Sequence, residues 1–187
     1  MTATAFGTPV PALSCRLPDG TPLLVRPLVH RDVPRLVALV SGAEPDAPLL
    51  AEPAHAETLR RFLEDVGHRD RLVLVAATLD GHAVGLAGAE RVRSDRTVAE
   101  VAVAVAAGWQ RRGVGTLLVT ALARAAAEDG VRRFTALVRA ARDPVSRLLG
   151  AVGAPVTERP AHGLTEIEIE LPPAAELVPP GSEVSEE

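Results

Sequence analysis

Residues 110–116 read Gln-Arg-Arg-Gly-Val-Gly-Thr and lie between two apolar segments of different period. The run before them, Val98 to Val105, is β-branched and alternates; the run after them, Val114 to Glu128, is long and amphipathic. This order predicts a strand, a glycine loop and a helix. Such a loop turns successive backbone N–H groups toward one point at the helix start, where the helix dipole also favours negative charge. The expected ligand is a phosphate or pyrophosphate. A dinucleotide fingerprint is excluded, because its third glycine would fall on Leu118, and a P-loop is excluded because the chain has no lysine. The second residue with chemical potential is Glu100, a carboxylate in the otherwise apolar strand Val98–Val103. A partly buried carboxylate has a raised pKa and suits a general base near neutral pH. Strand parity also permits a solvent-facing reading, since Glu100, Ala102 and Ala104 share one face.

Other chemistries find less support. His30, His55, His68, His82 and His162 show no metal-ligand spacing with one another or with Cys15, so no metal is expected. A single cysteine excludes an internal disulfide and fits a reducing cytoplasm. The net charge is −4, and the four Glu after residue 171 leave residues 1–171 with 20 Arg against 20 acidic residues. A neutral body without a clustered basic face argues against nucleic acid. No apolar run approaches a membrane span, and the N-terminus lacks the basic start of a secretory signal. Lys, Asn and Tyr are absent, and aromatics make up only 2% of the chain. That bias matches a GC-rich coding sequence and means a core built from Ala, Val and Leu.

The elements that must position these residues can be laid out from punctuation and period. Residues 1–12 are expected to be disordered. Leu13–Leu17 and Leu23–Arg26 flank Asp19-Gly20, a hairpin signal. Asp32 is a candidate cap for a first helix with Pro34 in its first turn and Leu36, Val37, Leu39 and Val40 as its apolar face. A second helix runs through Leu59, Phe62, Leu63 and Val66. Leu72–Leu79 and Ala83–Val92 form a hairpin around Asp80-Gly81, and Val98–Val105 follows. The helix after the glycine loop ends at Gly130. Phe134–Val138 is a strand expected parallel to its predecessor, because a helix joins them. Asp143-Pro144 opens a last helix, and Val156–Glu158 and Thr165–Leu171 close the domain. Residues 172–187, rich in Pro and Glu, are expected to form a disordered tail.

The element order is α+β with a mixed sheet. Together with Gln110-Arg111-Arg112-Gly113-Val114-Gly115 it resembles the GNAT superfamily of N-acetyltransferases, whose cofactor loop has the pattern Gln/Arg-x-x-Gly-x-Gly/Ala. The resemblance covers residues 13–171. Asp-Gly-Thr-Pro-x-x-x-Arg-Pro at Asp19–Pro27 resembles a familiar opening within that superfamily, and Ala99-Glu100-Val101-Ala102-Val103 followed by Trp109-Gln110 is most similar to the catalytic domain of Pat-type protein-lysine acetyltransferases. It implies a mostly antiparallel mixed sheet of about six to seven strands flanked by about four helices. It also implies acetyl-CoA as cosubstrate. The backbone N–H groups of Arg112, Val114, Gly115 and Thr116 would face the pyrophosphate, with Gln110 and Gly113 shaping the loop and Arg111 and Arg112 adding charge. Val103 and Val105 would offer backbone groups to the pantetheine arm where their strand splays from the next one. Arg142 stands near the CoA where many relatives have Asn. Glu100 takes the place of the general base.

The sequence departs from the family at the leaving-group acid. Many relatives carry a Tyr on the last helix at the place aligned with Leu149, and this chain has no tyrosine. Ser146 could bond the sulfur but reads more simply as a surface serine. The expected function is acetyl transfer to a primary amine, with a protein lysine as the favoured acceptor. A small-molecule amine acetyltransferase and a catalytically silent acyl-CoA-binding module are the alternatives. Residues 41–55, the expected acceptor wall, carry no recognisable chemistry, and nothing in the sequence sets the oligomeric state.

Overall fold

The computed structural model describes residues 6–7, 9–40, 53–64, 66–138, 144–153 and 155–182. The Asp19-Gly20 turn joins β1 (Leu13–Arg16) to β2 (Pro22–Pro27), with Thr21 N–H donating to the Asp19 carboxylate at 2.9 Å and Gly20 in the left-handed region at φ +84°. A 3-10 turn (His30–Asp32) then leads into α1 (Val33–Val40). Asp32 does its capping backwards. Its carboxylate accepts the Val29 N–H at 3.1 Å and takes two bonds from Arg26 at 2.7 and 2.8 Å.

After α2 (Pro53–Glu64) come β3 (Arg71–Ala77), β4 (Ala83–Val92) and β5 (Asp95–Val105) as an antiparallel meander. A helix, α3 (Val114–Glu128), crosses to β6 (Arg133–Val138), which is parallel to β5. The short α4 (Pro144–Gly150) precedes the hairpin of β7 (Val156–Ala161) and β8 (Leu164–Glu170). The strands form one mixed sheet in the order β1-β2-β3-β4-β5-β6-β8-β7. Its eight strands exceed the expected six to seven, because the first and the closing hairpins both join the same sheet. Among the described residues, no helix is long and apolar enough to cross a membrane.

Alternation along the strands sends two cores to opposite faces. Val101, Val103 and Val105 pack with Leu117, Leu118 and Leu122 of α3, while Ala102 packs with Leu36 of α1 and Leu59 and Phe62 of α2. On the second face Gly88 of β4 is a docking point. A Cβ built there would lie 2.3 Å from the Phe62 ring, so only glycine lets α2 settle this close. Burying a ring of that size contributes about 1.5–3 kcal/mol.

Described residues in both terminal segments make defined contacts with the body of the fold. Phe6 is buried, and the Arg91 guanidinium lies 4.6 Å from its ring centroid. Beyond β8, Leu177 is 2% exposed and belongs to the α3-side core. Gly181 accepts the Arg16 N–H at 2.9 Å, and Ser182 bridges Cys15, so residues 181–182 cover part of the outer edge of β1. A Cβ on Gly181 would meet the Arg16 carbonyl at 2.0 Å. Average Pro/Glu composition hides these two anchors, one apolar and one glycine, which is why residues 172–187 read as a disordered tail in sequence.

Candidate active site

The parallel pairing of β5 with β6 is short. It joins Val98 to Arg133, Ala99 to Phe134 and Glu100 to Thr135, and there it stops. Both strands continue, β5 to Val105 and β6 to Val138, so they part in a fork whose last closed rung holds Glu100. Splaying of the Val103–Val105 segment from the following strand is the geometry expected from the sequence. Beyond that rung the pairing of β5 with β6 is not continued.

The glycine loop opens beside this fork. Arg111 (φ +56°) and Gly113 (φ +96°) are both left-handed, so the chain turns twice before α3 begins. Gly113 is the N-cap of α3 and has no side chain with which to satisfy the first helical N–H groups. Helix starts left open in this way bind anions. An open cleft of about 460 Å³ lies there, lined by Val105, Gln110, Arg111, Gly113, Gly115 and Thr116 of the expected set, and by Arg147 and Leu148 of α4. Gln110 ties the loop to the strand end by donating to the Val105 carbonyl at 3.0 Å.

The remaining loop residues have other positions. The Val114 and Val103 side chains are buried in the α3-side core, so any cofactor contact from them is through the backbone. Arg112 turns away from the cleft. Its guanidinium lies 4.4 Å from the Trp109 ring centroid and donates to Asp19 at 2.7 and 3.0 Å and to Thr21 at 2.9 Å. The Asp19 carboxyl is held down to about pH 2, first by the Thr21 hydroxyl, then by the Thr21 N–H and the Arg112 guanidinium. Arg112 thus fastens the loop to the first hairpin, where its guanidinium is engaged with Asp19. Arg142 lies outside the described residues, as do residues 41–52 of the expected acceptor wall.

Arg147 and Leu148 carry no signal of their own in the sequence. They reach the cleft because α4 packs on the start of α3, where a Cβ on Gly115 would stand 2.9 Å from the Leu148 Cδ2. A leucine tip can rotate away, so Gly115→Ala should be tolerated, whereas Gly115→Glu also brings a carboxylate to the helix start. We expect Gly115→Glu to weaken CoA binding in calorimetry by at least about tenfold, or about 1.4 kcal/mol. Unchanged affinity in a folded Gly115→Glu variant would remove the loop from the cofactor site.

Glu100 points to the other face, toward α2. Its side chain is 32% exposed. Thr58 donates to Oε1 at 2.9 Å and Arg61 donates to Oε2 at 3.0 Å. Directly across the ladder stands Glu90, bridged by Arg61 at 3.4 Å and by Arg71 at 3.3 Å. On α4, Leu149 is fully packed in the core, and the Ser146 hydroxyl donates to Glu158 at 3.0 Å. Ser146 is therefore committed to β7, in keeping with the simpler sequence reading. Among the described residues no cluster of His, Cys, Asp and Glu could hold a metal ion.

The site can be set beside known proteins. A family model described as Acetyltransferase (GNAT) family matches residues 36–153. Over 180 residues the chain is 31% identical to the Acetyltransferase Pat of Mycolicibacterium smegmatis, a match covering 90% of this chain and 51% of the relative. The chain thus spans about half the length of that curated relative. The crystal structure of the GNAT domain of S. lividans PAT is 27% identical with a TM-score of 0.66, covering 86% of this chain and 97% of that one. A cAMP-binding acyltransferase from Mycobacterium smegmatis is 25% identical with a TM-score of 0.61, covering 88% of this chain and 48% of the other.

Proposed function

The chain belongs to the GNAT acetyltransferase family, and from that membership we propose that it moves an acetyl group from acetyl-CoA to the ε-amine of a protein lysine. The single observation that carries the reading is the fork. It opens next to the glycine loop and closes at Glu100, so a thioester arm held by the loop would meet a carboxylate at the inner end of its path.

In this reading the α3 start and the Arg111 and Arg147 side of the cleft hold the pyrophosphate, and residues 13–171 form the catalytic unit. The pantetheine arm runs between β5 and β6 toward Glu100. The acceptor ammonium approaches from the α2 face and loses a proton to the Glu100 carboxylate. The neutral amine attacks the thioester carbonyl, a C–N bond forms, and the C–S bond breaks to release CoA thiolate. No tyrosine exists to protonate that thiolate, and Ser146 is engaged with Glu158. As the amide forms, the second proton of the attacking nitrogen passes through solvent in the open cleft to that thiolate, and the Glu100 carboxyl returns its proton to solvent. The lysine preference is supported by the likeness to the Pat relatives, and a reducing cytoplasm by the lone, buried Cys15.

The absence of lysine gives a clean assay. Enzymes that modify protein lysines often label themselves, but this chain has no ε-amine. Radiolabelled acetyl-CoA should therefore leave it nearly unlabelled while marking a client in lysate. The label should vanish when the client lysine becomes Arg, which keeps the charge but offers no nucleophile at neutral pH. Thiol release with a polyamine or aminoglycoside, and no labelled band in any lysate, would move the reading to a small-molecule acceptor. Tight CoA binding without thiol release on any amine would favour a silent acyl-CoA-binding module.

A further inference from the structure

Taking Glu100 as the base of the proposed reaction, we propose that Arg61 and Thr58 of α2 are positioning residues that clamp its carboxylate. The two side chains stand three residues apart, on one face of the helix. Each takes a different oxygen, Thr58 the Oε1 and Arg61 the Oε2. Thr58 is 6% exposed, one of three buried polar or charged residues among those described. A buried hydroxyl aimed at a carboxylate fixes one orientation of it.

The strands alone would not hold Glu100 in place. Its cross-strand neighbour is another carboxylate, Glu90, and like charges directly opposite on an antiparallel pair repel. Arg61 stands between them, with Nε toward Glu90 and the terminal nitrogen on Glu100. Arg71 flanks Glu90 from β3 and donates to the Arg61 backbone carbonyl at 2.8 Å. The result is an alternating row, Arg71, Glu90, Arg61, Glu100, that closes on Thr58. Each carboxylate oxygen can accept more than one hydrogen bond, so the clamp leaves room for an acceptor ammonium. A guanidinium here is also inert. Its very high pKa keeps it from becoming an acetyl acceptor, whereas a lysine at the same place would present a competing amine.

Helix docking sets the clamp. Phe62, the residue after Arg61, lies over Gly88, two residues before Glu90 on the same face of β4. The bare backbone of Gly88 thus brings α2 near enough for Thr58 and Arg61 to reach Glu100. Gly88→Ala should lift α2 and loosen the clamp without touching either partner.

The test compares Arg61→Met, Arg61→Lys, Gly88→Ala and Glu100→Gln with the parent chain, using Arg124→Met on α3 as a remote control. Turnover is read as thiol release with poly-L-lysine as the probe amine. Arg61→Met should lower kcat by about 10- to 100-fold, the scale of a small misplacement of a reacting group. The KM for acetyl-CoA should stay within about twofold, because the cofactor loop is untouched. Arg61→Lys should recover only part of the loss, since an ammonium is a point charge and cannot bridge both carboxylates as a planar fork does. Gly88→Ala should lower kcat in the same pattern.

A second measurement needs no turnover. In chain labelled with 13C at glutamate carboxyls, the Glu100 signal is the one lost in Glu100→Gln. It should move in Arg61→Met and stay in Arg124→Met. An unmoved signal, or a kcat for Arg61→Met equal to or above the parent while Glu100→Gln is inactive, overturns the clamp and leaves Glu100 as the base. Undiminished turnover in Glu100→Gln overturns the base assignment itself, and the clamp with it.

Discussion

Glu100→Gln is expected to lower turnover by about two to four orders of magnitude, the range supplied by a positioned general base. The amide keeps the size and planarity of the side chain and removes its ability to take a proton. Oε1 can still accept from Thr58, while the amide nitrogen at the other position would confront the Arg61 guanidinium, donor against donor. Some loss of stability is therefore expected from the broken ion pair, which is 32% and 40% exposed on its two sides and so modest in worth. CoA affinity should be preserved, because the cleft at the α3 start shares no lining residue with the Glu100 cluster. The deciding quantity is kcat per folded molecule, with folding checked by circular dichroism. Normal turnover in the folded fraction would make Glu100 a structural residue.

The largest stability effect is expected at Asp32. Its carboxylate is 2% exposed and its partner Arg26 is 11% exposed, and the two make a bidentate pair at 2.7 and 2.8 Å. Asp32→Ala strands the Arg26 guanidinium and frees the Val29 N–H. Breaking a buried pair by removing one partner costs about 3–5 kcal/mol. That is a large share of a typical domain's 5–15 kcal/mol, about which a urea titration would be direct. Replacing both partners by apolar residues should cost less, because no buried charge is left alone. The pH dependence follows from the carboxyl. Burial pushes its pKa up, but the Arg26 hydrogen bonds, the Val29 N–H and the Arg26 and Arg31 charges together outweigh burial and bring it below the usual aspartate value. A folded-state pKa below the unfolded one means stability that is present above pH 3.8 and lost as pH falls through the lowered value. Asp32→Ala should flatten the stability profile in that acid window. A profile as steep as the parent's would assign the acid loss to other carboxylates.

The strand, the glycine loop and the helix after it were legible in sequence because they are local. Residues 110–116 and the helix after them are contiguous, and the turn needs glycine for its left-handed backbone at Gly113 whatever surrounds it. Strand parity likewise put Glu100 on the face opposite Val101, Val103 and Val105, since the two-residue period holds in any sheet. The hairpins at Asp19-Gly20 and Asp80-Gly81, and the order of helices and strands, were readable for the same reason. Parity fixes a face but not a neighbour. Thr58 and Arg61 lie 42 and 39 residues from Glu100, and the choice of these side chains depends on how α2 docks over Gly88. Arg112 and Asp19 meet across 93 residues, so a loop arginine that looks free for phosphate is in fact spent on a hairpin. Leu148 reaches the cleft only because α4 packs on Gly115. Leu177 and Gly181 were lost in the average of a Pro/Glu segment, because one buried side chain and one close backbone contact can hold a segment whose composition argues against order. Sequence period and turn chemistry set the elements and their faces, while register and helix docking, which depend on side chains far apart in the chain, chose the partners of each charged group.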